Sequence, residues 1–250
     1  MHLYPLQACY FPTTSPRYPT IADLLSPASS VGLAGGVASY VAVAHARHLP
    51  FRVDEMNTVS CGAAPGLTDS FAQALWSIDA LLADAQVGID GVNMHSYPGA
   101  TYQLFKFSHV GGAWQAFVEP EYYGLLMFAR AAPAGSRLLA VTGASRVVRA
   151  WATLALDKKI RITLINDDTA HAHAVTLRVP GSGAAATLER LQASDVRATY
   201  DVTLAGQGFG RHSATGLLAG PRHVDTVAPP VSGGYLVQLP AAGAATLTLG

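Results

Sequence analysis

The sequence has little charge and no excess of either sign. Lysine plus arginine number 16, as do aspartate plus glutamate, and only 13% of the 250 residues are charged. Without a cationic excess or a basic run interleaved with aromatic residues, the sequence predicts no nucleic-acid partner. Half of the residues are apolar, which excludes a disordered chain and suffices for the core of one large domain or two ordinary ones.

A membrane span and a signal peptide are also missing from the pattern. The most apolar region, residues 31–46, is rich in glycine and alanine, carries Ser39 and His45, and is too short to cross a bilayer. The opening MHLYPLQACY lacks the basic start and the continuous apolar middle of a signal peptide. We therefore predict no membrane partner, and the sequence leaves the cellular location open.

Cysteine is scarce, with Cys9 and Cys61 the two present. Two cysteines are too few for a metal site, and the favoured interpretation is a pair of buried thiols. A disulfide is the alternative, because each cysteine follows one of two segments predicted to be neighbouring strands. His171 and His173 alternate along a strand, but with no third ligand in view we predict solvent-facing histidines and no metal.

The composition changes near RAAPAGSR, residues 130–137, and the change divides the chain. Apolar residues recur at helical spacing before this stretch and alternate as in strands after it. We therefore expect two domains, residues 1–132 and residues 133–250.

The first part alternates helices with short strands. The predicted helices are one capped by Thr20 and broken at Pro27, one over 31–48, one capped by Thr68 and ended by Gly88, and one with Pro120 in its first turn. The strands are FRVDE, residues 51–55, and IDGVNMHSY, residues 89–97. Such alternation is typical of parallel α/β folds, whose functional groups lie at the C-terminal ends of the strands.

The second part contains short alternating segments separated by turn-rich text such as NDDTAH and PGSGA. We predict strands at RLLAV, VVRAWATLAL, KIRITLIND, HAVTLRV, ATLERLQA, VTLAGQ, YLVQLP and ATLTLG. Strands at this spacing without intervening helices indicate an antiparallel β-sandwich.

Two carboxylates, Asp54 and Glu55, follow the apolar run 51–53. A carboxylate at the end of a parallel strand can attack the anomeric carbon of a sugar, if a second carboxyl roughly 5 Å away supplies a proton. Glu55 is our candidate nucleophile, and an ion pair with Arg52 or a loop cap is the alternative. Side chains alternate along a strand, so Asp54 points the other way and is expected to bond to the surrounding helices.

Eight ordered motifs carry a family resemblance: HLYPL, PTIADLLSP, LPFRVDEMNTVSCGAAPGLTDSFAQALWSIDAL, GIDGVNMHSYPG, PEYYGLLMFARAAPAGSRLL, LAGQGFG, TGLLAG and YLVQLPAAGAATLTL. Across nearly the whole chain they resemble family 79 of the glycoside hydrolases, the β-glucuronidase and heparanase family. The resemblance implies a retaining glycoside hydrolase that acts on a glucuronide-containing carbohydrate with two carboxylates and water, and with no cofactor. Members of this family are often secreted or periplasmic.

The resemblance also assigns roles at the site. Glu55, in DEMN, matches the nucleophile at the end of strand seven of a (β/α)8 barrel. HLYPL matches the end of strand six, where Tyr4 would hold Glu55 ionised and oriented. An ordinary aromatic residue at the barrel rim is the alternative interpretation of Tyr4.

Substrate contacts are expected from the loops around Glu55. Asn57 would lie beside the sugar or satisfy local backbone, and His95 would touch the sugar or pack behind it. Tyr97 would face the same mouth, and Tyr102 would form part of the pocket wall. The carboxylate of the sugar would be received by backbone N–H groups of residues 61–66, including that of Gly62.

The sequence departs from the family pattern in the number of barrel strands. A (β/α)8 barrel needs eight, yet only strands six to eight are found, and the Asn-Glu-Pro segment that carries the proton donor of the family is missing. VEPE resembles it, but Glu119 and Glu121 follow strand eight and are interpreted as favourable charges at a helix N-terminus. We therefore predict the C-terminal portion of an enzyme, a partial (β/α)8 (TIM) barrel (strands 6–8 with helices) followed by an antiparallel β-sandwich.

Such a portion is expected to have little or no hydrolase activity alone, because general acid catalysis typically contributes ~10²–10⁴-fold. Its open strand edge would pair with a missing N-terminal barrel portion or with another copy of the chain. Two alternatives stay open. One is a non-catalytic β-sandwich module that binds carbohydrate or another chain, and the other is a related retaining hydrolase for a neutral sugar.

Overall fold

The computed structural model describes residues 1–9, 11–228 and 234–250. Within these ranges the chain forms four α-helices and sixteen strands. The helices are α1 (Ile21–Leu24), α2 (Val31–His45), α3 (Phe71–Val87) and α4 (Pro120–Ala131). A 3₁₀ turn, Pro27–Ser29, separates α1 from α2 at the proline where the sequence predicts an interruption.

Short parallel strands lie between the helices. They are β1 (His2–Leu3), β2 (Leu6–Gln7), β3 (Arg52–Met56), β4 (Val59–Ser60) and β5 (Gly91–Met94). Strands β1, β3 and β5 form a parallel sheet in that order, and β2 pairs with β4 in parallel. Helices α2 and α3 make the crossovers between these strands, which is the kind of connection that parallel strands require.

Identifiable residues set the helix ends. Thr20 caps α1 in a capping box with Asp23, so two backbone donors that the helix leaves unpaired are satisfied. Gly88 ends α3 in the left-handed conformation, with a φ of 90°. Pro120 lies in the first turn of α4, where its missing N–H is not needed.

The predicted cap at Thr68 is wrong. Helix α3 begins at Phe71, and Ser70 holds the N-cap position. Thr68 lies in the preceding turn, where its hydroxyl donates to the backbone oxygen of Ala64 at 3.2 Å. Threonine serves turns as well as helix caps, because its short side chain bonds nearby backbone in both settings.

A β-hairpin between β5 and α4 is not among the predicted elements. Strands β6 (Phe105–Val110) and β7 (Ala113–Val118) pair antiparallel, and Gly111 and Gly112 between them both have positive φ. A Gly-Gly pair between alternating segments favours a two-residue hairpin turn, so the sequence does contain the signal.

The chain after α4 forms strands and loops throughout its described residues. The strands are β8 (Arg137–Leu139), β9 (Val148–Leu154), β10 (Ile160–Asn166), β11 (His173–Leu177), β12 (Ala186–Gln192), β13 (Thr203–Leu204), β14 (Asp225–Val227), β15 (Tyr235–Leu239) and β16 (Gly243–Leu249). Seven of them make one antiparallel sheet, ordered β13-β12-β16-β10-β9-β8 with β14 also paired to β12. Strands β11 and β15 make a second, two-stranded sheet.

Two apolar cores lie on opposite faces of the large sheet. One is shared with the β11–β15 pair and includes Leu164 and Tyr235. The other surrounds α3 and reaches the large sheet at Trp151 and Ile165. Because side chains alternate along each strand, the large sheet gives one face to each core.

Helix α2 buries little of its apolar surface. Val37 and Val41 are buried, whereas Tyr40 and Val43 are more than half exposed. By length and composition alone, the stretch Pro27–His45 would suffice to cross a membrane, and 28% of it is buried. The apolar region recognised in the sequence, residues 31–46, is shorter than this stretch, because the 3₁₀ turn adds residues before α2.

The predicted fold class is confirmed in outline. Helices alternate with parallel strands up to β5, and the hairpin β6–β7 and the strands after α4 pair antiparallel. The parallel sheet brings the C-terminal ends of β1, β3 and β5 to one edge, where the predicted site residues lie.

Candidate active site

Three polar side chains meet at the C-terminal ends of the parallel sheet. Tyr4 directly follows β1, Glu55 is the penultimate residue of β3, and His95 directly follows β5. The three strands are neighbours in the sheet. Because parallel strands end at the same edge, residues far apart in the sequence come together here.

Tyr4 links the other two groups by hydrogen bonds. Its Oη lies 2.6 Å from Glu55 Oε1 and 2.5 Å from His95 Nδ1. An ionised carboxylate can only accept, so the phenol donates its one proton to Glu55. The same phenol oxygen then accepts from His95, which places an imidazole proton on Nδ1. These two bonds orient Glu55 and His95 relative to each other.

The site keeps Glu55 ionised. The Tyr4 hydroxyl holds the pKa of Glu55 below its ordinary value against the opposing effect of desolvation, and His95 and His2 lower it further. Burial and the contact with Glu55 raise the pKa of Tyr4, so this donor keeps its proton. The Glu55 side chain is 29% exposed, which leaves it open to a ligand. An ionised, oriented and accessible carboxylate can act as a nucleophile.

His2 is a site residue that the sequence reasoning missed. Its Nδ1 lies 3.5 Å from Glu55 Oε2, the carboxylate oxygen that Tyr4 does not occupy. The signal lies in HLYPL, since β1 and β3 pair in parallel with His2 opposite Glu55. A polar residue on the neighbouring strand at the same register faces the same ligand.

Tyrosines surround the His95 ring. The ring centroids of Tyr97 and Tyr102 both lie 5.5 Å from that of His95, within the range of aromatic pairs. Tyr97 is 45% exposed and can face a ligand at the mouth, whereas Tyr102 is 3% exposed and packs behind the imidazole. Tyr102 therefore supports the wall of the site from inside.

The expected sugar contact by Asn57 is corrected. Asn57 is fully buried, and its amide oxygen accepts from the Thr58 N–H at 2.7 Å. Its amide nitrogen donates to the backbone oxygen of His95 at 2.8 Å. Both ends of the amide are thus engaged within the protein, which agrees with the alternative that Asn57 satisfies backbone.

A disulfide joins Cys9 to Cys61, so the favoured interpretation as free thiols is wrong. The preceding strands β2 and β4 pair in parallel, and this register brings the two Cα atoms to 5.2 Å. That distance lies within the normal range for a disulfide.

The disulfide anchors the loop 61–66 beside the site. Cys61, Gly62 and Ala63 all have positive φ, with 92° at Gly62. Successive residues of this kind curl the backbone into a concave turn. The N–H groups of Ala64 and Gly66 are already donated, to Thr68 and Asp69. The first half of the loop, with Gly62, is therefore the part left to receive a ligand.

Asp54 lies away from the helices, which corrects the expectation of helix contacts. It is exposed on β3, with 63% of its side-chain surface accessible. The alternative pairing of Glu55 with Arg52 is not seen either, because Arg52 donates to Asn93 at 3.1 Å. Among the described residues, the Glu55 side chain therefore contacts the polar groups of the candidate site, Tyr4, His2 and His95.

The prediction that both acids of VEPE are favourable charges at a helix N-terminus is wrong for Glu121. Glu121 lies in the first turn of α4 but is only 2% exposed, and burial raises its pKa to about 8. Burial likewise raises the pKa of Glu119 to about 7, against the lowering effect of Lys106. Glu121 is therefore largely uncharged at neutral pH.

In the part of the chain that the structure describes, no cluster of histidine, cysteine and acidic side chains could hold a metal ion. His171 and His173 instead bond to Asp168, at 3.2 and 3.0 Å. The polar partners of Glu55 in the described residues are a phenol and imidazoles. A second carboxyl is not among them.

Comparison with known proteins identifies the relatives of the chain. A sequence model of the C-terminal beta domain of glycosyl hydrolase family 79 matches residues 150–246. A beta-glucuronidase of Aspergillus niger is 25% identical over 226 residues, which cover 80% of this chain and 41% of that protein. The resemblance to the C-terminal portion of family 79 is therefore confirmed, and the chain is related to glycoside hydrolases.

Solved structures agree with this relationship at the level of the fold. A 4-O-α-L-rhamnosyl-β-D-glucuronidase from Fusarium oxysporum aligns with 99% of this chain and 52% of its own, at a TM-score of 0.81 and 22% identity. A family 51 arabinofuranosidase from Xanthomonas axonopodis pv. citri aligns with the whole chain and 52% of its own, at a TM-score of 0.69 and 16% identity. The chain spans about half the length of these relatives.

Proposed function

We propose that the chain is the nucleophile-bearing C-terminal part of a retaining glycoside hydrolase that acts on a glucuronide-containing carbohydrate. Residues 1–132 would be the last three units of a (β/α)8 barrel, and residues 133–250 a β-sandwich domain. The observation that carries the proposal is the ionised Glu55, oriented by Tyr4 beside His95 at the C-terminal ends of neighbouring parallel strands. The family 79 match and the beta-glucuronidase relative support the choice of substrate class.

In this proposal Glu55 attacks through Oε2. Oε1 is held by the Tyr4 hydroxyl at 2.6 Å, while the nearest polar neighbour of Oε2 is His2 at 3.5 Å. A bond forms from this oxygen to the anomeric carbon as the glycosidic bond breaks, and the leaving-group oxygen takes a proton from a second carboxyl. Water then gives a proton to that second carboxylate as it attacks the same carbon, and Glu55 leaves as the carboxylate.

The second carboxyl would come from outside these 250 residues. The sequence lacks the Asn-Glu-Pro segment that carries the proton donor in the family it resembles, and the relatives are about twice as long. Without general acid assistance, typically ~10²–10⁴-fold, the chain by itself would hydrolyse glucuronides at a negligible rate. A monomeric sample that cleaves nitrophenyl glucuronide at an ordinary enzymic rate would contradict this.

The loop 61–66 would receive the carboxylate of the sugar. Its first half, with Gly62, curls with positive φ and is pinned by the disulfide beside the site. Backbone N–H groups in such a turn bind anions without a cationic side chain. A complex in which the uronate contacts only arginine or lysine would overturn this part of the proposal.

The proposed partners follow from the edges of the parallel sheet. Strands β1 and β5 each have one neighbour in the described chain, and α2 exposes Tyr40 and Val43. Unpaired strand edges favour further pairing. We therefore propose that an upstream barrel portion, or another copy of the chain, covers them.

The nucleophile can be tested without the missing acid. A 2-deoxy-2-fluoroglucuronyl fluoride carries a leaving group that departs without protonation, so a covalent adduct requires only a positioned nucleophile. We expect mass spectrometry of the treated chain to find the adduct on Glu55, with none in Glu55→Gln. Asp54→Asn is the matched control, because it removes the adjacent carboxylate and should label like the wild type. Labelling that persists in Glu55→Gln would contradict the assignment of Glu55 as the nucleophile.

A further inference from the structure

A buried polar cluster adjoins the candidate nucleophile. Glu121, Gln73 and Asn57 form it, exposed by 2%, 0% and 0%. Gln73 Nε2 donates to Glu121 and, at 3.0 Å, to Asn57 Oδ1. Asn57 Nδ2 lies 3.4 and 3.3 Å from Glu121 Oε1 and Oε2. The three side chains therefore hydrogen-bond to one another in the buried interior.

The cluster joins elements that are separate in the sequence. Glu121 lies in the first turn of α4 and Gln73 in the first turn of α3, while Asn57 directly follows β3. Asn57 also donates to the backbone oxygen of His95, which directly follows β5. Two helix starts and two strand ends thus meet at one amide group.

His95 is held through its backbone on both sides. Its N–H donates to the backbone oxygen of Met56 at 2.8 Å, and its carbonyl accepts from Asn57 at 2.8 Å. The imidazole Nδ1 then lies 3.4 Å from Glu55 Oε1 and 2.5 Å from Tyr4 Oη. The position of the Asn57 amide therefore sets where the His95 ring meets Glu55.

We propose that Glu121 is a positioning residue for Glu55, acting through Asn57 and His95, an assignment that rests on the proposed function. It contacts neither substrate nor the reacting carboxylate. Removing its carboxyl leaves buried N–H groups of Gln73 and Asn57 without an acceptor, which is costly in a dry interior. The Asn57 amide then turns to find another partner, and His95 loses the bond that fixes its carbonyl.

The position of the His95 ring can be measured in the full 250-residue chain without any enzymatic activity. We expect Glu121→Ala to displace the His95 ring cross-peak in a ¹H–¹³C spectrum, with the peak assigned by its loss in His95→Gln. Glu121→Gln keeps the volume and an acceptor oxygen, and it should return the peak most of the way to its wild-type position. A merely structural acid would lower stability without moving this peak.

Asn166→Ala is the matched control in the β part. Asn166 is also fully buried and donates to two backbone oxygens, those of His171 and Pro240, at 2.9 and 2.8 Å. It should lower stability as a buried amide does and leave the His95 peak in place. The proposal would be overturned if this control displaced the His95 peak, or if Glu121→Ala left the peak at its wild-type position.

Two further measurements keep the test decisive. If Glu121→Ala does not fold, Glu121→Met removes the same hydrogen bonds at similar volume and should displace the peak in the same way. An undisplaced peak there would also count against the proposal. With the fluoroglucuronyl probe, the limiting labelling rate of Glu121→Ala should fall roughly 10-fold or more, because small misplacements of reacting groups are expensive. A wild-type chain that never labels refutes the proposed function, while the ring displacement still decides the role of Glu121.

Discussion

The two parts of the molecule differ in the length of their strand pairing and in the residues that build their cores. In the β part, Ile160–Asn166 pairs along its whole length with a strand on each side. In the parallel part, β1 and β5 have two and four residues, and each has one neighbour in the described chain. The β part also holds a core made only of its own residues. The core around α3, in contrast, extends onto the face of the β sheet.

This difference places the candidate site in the less self-sufficient part. Glu55 lies on one of the short parallel strands, and Tyr4 and His95 directly follow two others. The large sheet of the β part, in contrast, packs against α3 and α4. Other interactions stabilise this part, where the paired strands are short. A disulfide joins the segment after β2 to the loop after β4, and the buried polar cluster joins the starts of two helices to the ends of two strands. The predictions below test whether these interactions hold the parallel part specifically.

Removing the disulfide has the largest expected effect. Cys9 and Cys61 close a loop with a sequence separation of 52, and a cross-link of this size stabilises by about 4 kcal/mol through the entropy of the unfolded chain. We expect Cys9→Ala/Cys61→Ala to lower the free energy of unfolding of the parallel part by about this amount. Amide hydrogen exchange read by region measures it.

The pattern of hydrogen exchange shows whether the disulfide stabilises the parallel part alone or the whole chain. Protection should fall at residues 1–66 and hold along β9, β10 and β16, whose pairing does not involve the disulfide. An equal loss in both regions would mean that the two parts unfold as one unit. That outcome would remove the contrast between them.

The contact between the two parts has the next largest effect. Trp151 Nε1, on β9, donates to Asp79 Oδ1, on α3, at 2.7 Å, and Asp79 is 4% exposed. Trp151→Phe leaves Oδ1 of this buried carboxylate without its donor, while Ser30 and Arg149 stay at Oδ2, and the loss costs roughly 1–3 kcal/mol. We expect the parts to unfold at separate urea concentrations in this variant.

Trp76→Phe is the matched control for that separation. Trp76 is 1% exposed and donates to the backbone oxygen of Ser29 at 2.8 Å, so its hydrogen bond stays inside the parallel part. The same substitution should destabilise that part and leave the docking of the β part unchanged. Separate transitions in Trp76→Phe but not in Trp151→Phe would show that the link between the parts lies elsewhere.

The sequence predicts best where local chemistry decides. Gly88 and Pro120 mark helix boundaries because their backbone preferences hold in almost any surrounding, and the alternating strands of the β part follow the two-residue period of a sheet. The Thr68 cap fails because a turn before the helix competes for the same hydroxyl. The hairpin turn at Gly111 and Gly112 also has a local cause, because glycine readily adopts the positive φ that both positions require.

The candidate site depends on contacts between residues that are distant in the sequence, and local patterns do not predict these. Placing Glu55 and Tyr4 at neighbouring strand ends requires only strand order, which the resemblance supplies. The roles of Asn57 and Glu121 depend on a hydrogen bond between residues 64 apart, so no spacing in the sequence encodes them. The buried state of Glu121 likewise follows from packing between two helices, and the sequence shows only an acid near a helix start.

The response to pH gives each part its own signature. Burial raises the pKa of Glu121 in the parallel part, and of Asp167 in the β part, to about 8 in each case. Between the unfolded value, near 4.5 for Glu121, and about 8, the folded state holds a proton that the unfolded state releases. Stability should therefore fall as pH rises through this window, by up to ~1.4 kcal/mol per pH unit for each acid.

Neutral substitutions separate the two contributions. Glu121→Gln and Asp167→Asn should each flatten the decline of the urea midpoint between pH 5 and pH 8, with the first acting on the parallel part and the second on the β part. Glu119 and Asp84, whose pKa values burial raises to about 7, leave a residual slope in the parallel part. A decline that is unchanged in both variants would contradict the protonated state of these acids.

The smallest effect on stability is expected on the exposed face of α2. Tyr40 and Val43 are 57% and 55% exposed, so replacing both with lysine should change the free energy of unfolding by no more than about 0.5 kcal/mol. Association is another matter, because an exposed apolar helix face beside an open strand edge favours contact with a second chain. Light scattering across a concentration series should show less association in Tyr40→Lys/Val43→Lys. Leu156→Lys, at a residue 73% exposed in the β part, should leave association unchanged, since Leu156 lies in the turn between β9 and β10, which pair with each other. If the control variant disperses the chain and the α2 variant does not, the incomplete part of the molecule is the β part, and the contrast between the two regions is reversed.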